Sequence, residues 1–247
     1  MSVRIGTSGW SYDHWESVLY RPGLPVAKRL ARYVEEFDTV ELNASFYRWP
    51  RDATFEGWRR RLPDGFTMAV KAHRGLTHFR RLRDPKPWVE RFERCWRALG
   101  DRGEAVLVQL HPGIARTPES VALLDDFLTA LPAWIPRAVE FRHPSWDEEA
   151  TYDLLTRHAT TYVVTSGARL PCVPRATAGL VYVRMHGPDD EKLYLGSYPE
   201  VALRWWADRI TEWQDAGHDV VVYFNNDPEG HAVRNACRLR ELVTGAT

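Results

Sequence analysis

Short apolar runs rich in β-branched residues alternate along this chain with longer stretches in which apolar residues recur every three or four positions. The short runs have the length and composition of buried strands, and the longer stretches have the period of amphipathic helices. The predicted strands are residues 3–7, 39–42, 66–71, 105–110, 138–141, 162–165, 180–185 and 220–224. The predicted helices are residues 27–37, 53–61, 88–99, 120–131, 150–158, 201–216 and 233–243.

This regular alternation predicts an α/β fold with a parallel sheet. Eight strands in 247 residues match a single TIM-barrel-like (β/α)8 domain spanning residues 1–247. An open doubly wound sheet is the alternative, but the turn after the first strand, GTSGW at residues 6–10, lacks the Gly-x-Gly-x-x-Gly pattern of a dinucleotide site. Residues 166–178 hold two prolines, a glycine and no helical period. The sixth crossover is therefore predicted to be irregular and to lack a proper helix.

Three polar residues stand directly before prolines at predicted helix starts. They are Asp84, Thr117 and Asp227. A short polar side chain followed by proline is typical of the first turn of a helix, so each is a predicted N-cap. For Asp227, which follows the last strand, a catalytic acid is an equally good interpretation.

Charge and composition exclude several classes of protein. Thirty-three basic and thirty-three acidic residues leave a formal net charge of zero, which excludes a chain-wide positive field for nucleic acid or membrane. The three cysteines form no Cys-x-x-Cys or Cys/His cluster, so neither a disulfide framework nor a zinc site is expected. The chain shows no signal-peptide pattern and no apolar stretch near the roughly 20 residues of a membrane span. We therefore expect a cytoplasmic protein without a membrane partner, and the oligomeric state stays open.

Polar residues recur in pairs spaced by two at the ends of five predicted strands. Side chains alternate between the two faces of a strand, so both members of a pair share a face. The pairs are Glu41/Asn43, Lys71/His73, Gln109/His111, Glu140/Arg142 and Arg184/His186. In a (β/α)8 barrel the chemistry collects at the carboxyl ends of the strands. Because isolated buried charges are costly, this repetition predicts a ligand or active site rather than a structural polar plug.

The loops that follow the strands add aromatic and amide side chains to this end of the predicted barrel. Candidate substrate contacts among them are Trp10, Tyr12, Trp146, Tyr194, Tyr198, Asn225 and Asn226. Tyr194 and Tyr198 belong to residues 188–199, a length that suits a lid. Residues 73–83 form the one strongly basic run, with Arg74 at its start. That run is either a solvated loop or a site for phosphate or another anion.

Six ordered motifs resemble a known family over nearly the whole chain. They are GTSGWSY at residues 6–12, TVELNASFY at 39–47, VKAHR at 70–74, EFRHPSW at 140–146, YVRMHG at 182–187 and FNND at 224–227. Together they resemble the YecE-like family, also called domain of unknown function 72. The resemblance implies a TIM-barrel-like fold, in agreement with the residue patterns, and it implies no particular reaction.

The favoured hypothesis is an enzyme that acts by general acid–base chemistry on a small polar or anionic substrate, one that carries phosphate or carboxylate. Its predicted catalytic residues are Glu41, Glu140 and His186. The predicted anion-binding residues are Lys71, Arg74, Arg142 and Arg184, and the predicted orienting residues are Asn43, Gln109, Asn225 and Asn226. Trp10, Tyr12 and Trp146 would form apolar walls. No metal site and no cofactor are predicted.

Two alternatives stay open. One is a metal-dependent phosphoesterase or endonuclease-like barrel acting on nucleic acid, with metal ligands Glu41, Glu140, His186 and Asp227. This hypothesis is not favoured, because Lys71, Arg142 and Arg184 would crowd the same mouth with positive charge. The other is a module that binds a small ligand without turning it over.

Overall fold

The structure, a computed structural model, describes residues 1–245. Its strands follow chain order around a closed parallel barrel, which confirms the predicted (β/α)8 architecture. The strands are β1 Val3–Ser8, β2 Thr39–Leu42, β3 Thr67–Lys71, β4 Gly103–Gln109, β5 Arg137–Glu140, β6 Thr161–Ser166, β7 Leu180–Met185 and β8 Asp219–Phe224. The main helices are α1 Val26–Tyr33, α2 Asp52–Arg59, α3 Lys86–Leu99, α4 Pro118–Ala130, α5 Glu149–Arg157, α6 Glu200–Asp215 and α7 His231–Thr244.

The crossover between β6 and β7 contains no helix among the described residues, as the two prolines and the absent helical period predict. The predicted helix at residues 27–37 was too long, since α1 ends at Tyr33. Residues 34–36 form turns instead, yet Phe37 is still buried. The apolar residues of that segment are therefore spaced as in a helix because Phe37 is buried after the helix has ended, and not because the helix continues.

Of the three predicted N-caps, only Thr117 caps a helix through its side chain. The Ser120 N–H donates to Thr117 Oγ1 at 3.2 Å, and the Thr117 N–H donates to Ser120 Oγ at 2.8 Å, which together form a capping box. The prediction for Asp84 was wrong, because its carboxylate accepts a hydrogen bond from Arg80 while its backbone lies at φ +49°. Asp227 makes no side-chain cap either.

Contacts between residues of the described chain divide it into two compact units. Unit 1 comprises residues 1–41, 164–174 and 179–245, and unit 2 comprises residues 42–163 and 175–178. The assignment of residues 1–247 to one domain stays a prediction. In unit 1, β1 pairs with β2 and β8, and β7 pairs with β8. In unit 2, β4 pairs with β3 and β5.

Candidate functional site

Unit 1 contains a fully buried ion pair between Glu41 at the end of β2 and Arg184 on β7. Neither side chain is exposed. Arg184 Nε donates to Glu41 Oε2 at 2.8 Å and Nη2 donates to Oε1 at 2.6 Å, so the guanidinium grips both carboxylate oxygens. Such two-pronged, charge-assisted bonds fix geometry as well as charge. The two predicted site residues are thus brought together as partners.

Two hydroxyl groups complete the shell around Glu41. The pairing register sets Ser8 opposite Glu41, and Ser8 Oγ donates to Oε1 at 2.5 Å. The Tyr182 hydroxyl donates to Oε2 at 2.7 Å. Burial, and then the neighbouring negative charge of Glu41, raise the pKa of Tyr182 well above its usual value, so its hydroxyl stays protonated as a donor. With four donors, Glu41 is built as a fixed anion; its predicted acid–base role stays a prediction.

His186 lies buried at the end of β7, one residue beyond Met185. The side-chain amide of Asn225 contacts His186 Nδ1 at 3.2 Å, and the ring of Tyr194 meets the imidazole edge-on at 5.4 Å between centroids. An amide donor on Nδ1 places the ring proton of a neutral imidazole on Nε2. Two predicted site residues, Asn225 and Tyr194, therefore both contact a third, His186.

Hydrogen bonds connect the segment at residues 188–199 to other parts of unit 1. The buried Tyr198 hydroxyl accepts from the Gly187 N–H at 3.0 Å and bonds Ser166 Oγ at 3.0 Å. Asn226 Nδ2 donates to the Gly196 carbonyl at 2.9 Å. Tyr198 and Asn226, both predicted substrate contacts, here fasten this segment to the strand ends. The predicted lid movement stays a prediction.

Asp227 and Tyr12 form a second polar contact in unit 1. The Tyr12 hydroxyl donates to the Ser8 carbonyl at 2.6 Å and also bonds the Asp227 carboxyl group. Burial, and next the negative charge of Asp227, raise the pKa of Tyr12 far above its usual value. Asp227 Oδ1 is buried and has no hydrogen-bond partner. The sequence was equally consistent with a helix cap and a catalytic acid at Asp227. The cap prediction was wrong, because the Asp227 side chain caps no helix.

Unit 2 contains a group of five basic side chains, named here the cation cluster: Lys71, Arg74, His78, His111 and Arg142. Lys71 Nζ lies 4.4 Å from the centroid of the Phe46 ring, and the His78 ring meets Phe46 edge-on at 4.9 Å. The His111 ring meets His78 edge-on at 5.0 Å. Lys71 and His78 therefore contact the same buried ring, His111 contacts His78, and Arg142 and Arg74 lie near enough for their charges to act on His78.

The charges of the cation cluster act strongly on His78. Burial, and then the nearby positive charges of His111, Lys71, Arg142 and Arg74 in that order, together lower the pKa of its imidazole to about 4. Glu140, fully buried at the end of β5, is the ion-pair partner of Arg142. Gln109 on β4 lies in register with Glu140. Unit 2 thus brings together Lys71 and Arg74 with His78, and Glu140 with Arg142.

Several predicted contacts lie apart from these groups. Trp146 is fully buried, stacks on Phe141 at 4.7 Å and donates its ring N–H to the Ile114 carbonyl at 2.8 Å, so it anchors the interior of its loop. The Trp10 carbonyl accepts from the Tyr20 hydroxyl. Asn43 stands at the start of the short helical turn Ala44–Phe46, with its Oδ1 buried and without a hydrogen-bond partner.

Sequence reasoning missed His78 as a site residue. It lies in a short π-helical turn, Gly75–Phe79, within the basic run that the sequence left open as either a solvated loop or an anion site. Two other arginines of that run have ordinary surface partners: Arg80 pairs with Asp84 at 3.0 Å, and Arg83 pairs with Glu119 at 2.5 Å. The run therefore divides into a paired, solvated part and a part that joins the cation cluster. The available signal was the position of His78, seven residues after Lys71 at the end of β3.

Within residues 1–245, no three His, Cys, Asp or Glu side chains lie close enough to share a metal ion. No helix in the same residues is long and apolar enough to cross a membrane.

Comparison with known proteins shows the family to which the chain is related. The family model described as "Protein of unknown function DUF72" matches residues 4–247. The UPF0759 protein YunF of Bacillus subtilis is 30% identical over 270 residues, covering 98% of this chain and 94% of the relative. The UPF0759 protein YecE of Escherichia coli K12 is 28% identical over 153 residues, 60% of this chain and 53% of YecE.

Solved structures extend the likeness to three dimensions. A DUF72 family protein from Thermotoga maritima superposes with a TM-score of 0.90 at 30% identity, covering 99% of this chain and 100% of that one. A D-psicose 3-epimerase from Clostridium cellulolyticum superposes with a TM-score of 0.55 at 11% identity, covering 99% of this chain and 96% of the epimerase. The second likeness shows the fold alone.

Proposed function

This chain belongs to the DUF72 family, whose function is not known, and from the geometry of unit 2 we propose that it is an enzyme acting on a small anionic molecule that carries phosphate or carboxylate. The observation that carries the proposal is the cation cluster around Phe46 and His78. The proposed chemistry is general acid–base catalysis, since histidine and carboxylate groups accompany the positive charges.

The cost of assembling these charges supports an anionic ligand. Lys71 is only 7% exposed, and the Arg142 side chain is only 5% exposed. Burying positive charge is unfavourable unless negative charge compensates it. Glu140 pairs with Arg142, and a phosphate or carboxylate group bound beside the cluster would add negative charge close to these positive side chains. Guanidinium and ammonium groups are the usual partners of such oxygens.

His78 links anion binding to proton transfer. In the free protein burial, and then the neighbouring positive charges, lower the pKa of the imidazole to about 4, so the ring is neutral at pH 7. A bound anion would oppose the field of Lys71, Arg74 and Arg142 and would raise the pKa of His78. The imidazole then takes up a proton as the anion binds, and it becomes able to donate that proton to the bound molecule. This is the behaviour expected of a general acid that is charged only when substrate is present.

The residues predicted from the sequence keep distinct parts in the proposal. Glu140 orients Arg142, and it is the candidate base in unit 2. Glu41 holds Arg184 in unit 1. His186, positioned by the neutral amide of Asn225, is the candidate proton carrier there. A metal-dependent phosphoesterase and a non-catalytic binding module stay as alternatives.

Inorganic phosphate is the probe that tests anion binding. We expect millimolar binding to the whole protein by calorimetry, weakened about tenfold in Lys71→Met and in Arg74→Met, because a lost charge contact of this kind is worth about 1.4 kcal/mol. Arg74 is exposed, so its variant carries little risk for folding. Arg60→Met, which removes an exposed arginine directly after α2, is the matched control and should bind phosphate like the wild type. Equal affinities in all four proteins would refute the assignment.

Catalysis is tested with the same variants. The protein is incubated in D₂O with a panel of phosphorylated sugars and small hydroxy and keto acids, and deuterium entering carbon-bound positions is followed by NMR. Proton-transfer chemistry predicts incorporation with wild-type protein and a loss in Lys71→Met. Phosphate binding without incorporation or other turnover would favour the non-catalytic binding module instead.

A further inference from the structure

The loop after β1 and the segment after β8 bring Tyr12 against Asp227. Gly9 has φ +90°, and a Cβ built at this position would lie 2.7 Å from the Tyr12 hydroxyl oxygen. The glycine is therefore required both by the backbone conformation and by the close approach of the ring. The local sequence thus places one phenol at one carboxyl group, and the fold keeps it there.

Asp227 is fixed in place by its backbone and not by its carboxyl group. Its carbonyl oxygen contacts His14 Nε2 at 2.8 Å and accepts from Trp15 Nε1 at 3.2 Å. The carboxyl makes no helix cap. Its Oδ1 atom is buried with no hydrogen-bond partner. Because an unsatisfied buried acceptor costs about 1–3 kcal/mol, a structural role for this oxygen is a poor explanation.

The carboxyl groups of Glu41 and Asp227 differ in the hydrogen bonds that they accept. Glu41 receives donors on both oxygens, which is how a protein stabilises a permanent carboxylate. Asp227 Oδ1 receives none. A buried acceptor in this state accommodates a donor from a ligand, and a neutral hydroxyl group is the donor that adds no charge to the site.

We propose that Asp227 is a catalytic residue of unit 1 that binds a hydroxyl group of a neutral or polyhydroxylated ligand through Oδ1 and exchanges a proton with it, and that Tyr12 is its positioning residue. In the forward step the ligand O–H bond breaks, its electron pair stays on the ligand oxygen, and an O–H bond forms on Asp227. The reverse step returns the proton. The inference rests on the proposed function only in taking the protein to be an enzyme, and it does not require the cation cluster.

The electrostatic surroundings suit this step. The pKa of Asp227 is raised to about 7: burial is the largest cause, the Tyr12 hydrogen bond opposes it, the negative charge of Glu41 adds to it, and the positive charge of Arg184 opposes it. These three side chains are the titratable and charged groups that act on the carboxyl. A general acid or base works best when both of its protonation states are populated at the working pH.

Glycidol, a small neutral epoxide that carries a hydroxyl group, is the probe that tests the inference without a known substrate. An ionised Asp227 oxygen attacks the epoxide carbon, the ring C–O bond breaks with its electron pair on oxygen, and that alkoxide takes a proton from water. We expect a stable ester on Asp227, located by peptide mass spectrometry. Its formation should be about tenfold faster at pH 8 than at pH 6, as the ionised fraction for a pKa near 7 requires.

Three variants provide the controls. Asp227→Asn is close in shape and should lose the ester. Tyr12→Phe removes the hydrogen bond that lowers the pKa of Asp227, so the pH midpoint of labelling should move upward. Asp208→Asn removes an exposed carboxyl of α6 and should leave the labelling of Asp227 unchanged. An unchanged midpoint in Tyr12→Phe would overturn the positioning role.

The overturning result for Asp227 is glycidol esters on exposed carboxylates and none on Asp227 at any pH between 5 and about 8, the range over which its carboxyl should ionise. Labelling of Asp227 with the midpoint of an ordinary exposed aspartate would overturn it as well. Phosphate titration of the same Asp227→Asn protein separates this inference from the proposed function. Lost labelling with unchanged phosphate affinity supports both, whereas wild-type protein that is labelled at Asp227 but binds no phosphate supports the inference and refutes the anion site.

Discussion

Arg184 donates from Nε and Nη2 to the two carboxylate oxygens of Glu41, at 2.8 and 2.6 Å, and neither side chain is exposed. In such an interior, each of these two opposite charges is stabilised by the other. Removing one partner leaves the other buried and uncompensated, which costs more than the net value of the intact pair. The pair therefore makes a prediction that separates a structural role of Glu41 from a catalytic one.

Glu41→Gln should lower the free energy of unfolding by about 3–5 kcal/mol, because Arg184 would keep its charge without a counter-ion. Urea denaturation monitored by circular dichroism measures this change. Asp84→Asn is the matched control, since it breaks a surface pair between exposed side chains and should cost less than about 1 kcal/mol. A Glu41→Gln protein of wild-type stability that has lost activity would instead support the acid–base role predicted from the sequence.

The order of strands and helices was predictable because each period is a local property of the sequence. All eight predicted strands are present, with bounds that differ by at most two residues from those of the structure. The helix ends were less predictable. Residues 34–37 continue the apolar period of α1, but burial of Phe37 outside the helix produces the same pattern.

The polar character of the strand ends was predictable, and the pairing of the polar groups was not. Alternation along a strand assigns Glu41 and Arg184 to their faces, but which charges meet depends on the register of strands far apart in the chain. Tyr12 and Asp227 are separated by more than 200 residues, and the Asp-Pro dipeptide, equally consistent with a helix cap and a catalytic acid, did not indicate a distant partner. Trp146 shows the opposite error, since an aromatic residue in a loop can serve as an interior anchor.

Phosphate should raise the pKa of His78 from about 4 in the free protein, because the bound anion opposes the positive charges that hold the pKa down. The imidazole of a folded protein in phosphate therefore keeps its proton to higher pH than in an uncharged buffer of equal ionic strength. Long-range ¹H–¹⁵N NMR of the histidine rings measures the shift. His158, whose ring bonds Asp125, is the internal control. Equal movement of the two histidines would show a general salt effect and no site.

Gly187→Ala should destabilise the protein by about 1–3 kcal/mol, because this residue has φ +96° and an added Cβ would lie 2.3 Å from the Leu195 carbonyl oxygen. The segment at residues 188–199 would have to move away from the end of β7. Gly179→Ala is the control, since its Cβ would meet nothing within 4 Å. Thermal unfolding of the two variants, with limited proteolysis at the segment, measures the difference. Similar unfolding and cleavage in both variants would contradict the close approach.

Asp227 should make the protein less stable as the pH rises through the range in which this carboxyl ionises. Its pKa is about 7 in the folded protein and about 4 in the unfolded chain, so between these values the folded state binds more protons. The free energy of unfolding then falls with pH, and the contribution present below about pH 4 is lost by about pH 7. Asp227→Asn has no such ionisation. Urea titrations measure the free energy of unfolding of both proteins. From pH 4 to pH 8 we expect the value for the variant to rise, relative to that of the wild type, by on the order of 1–3 kcal/mol. Parallel pH profiles of the two proteins would show that Asp227 ionises as an ordinary aspartate.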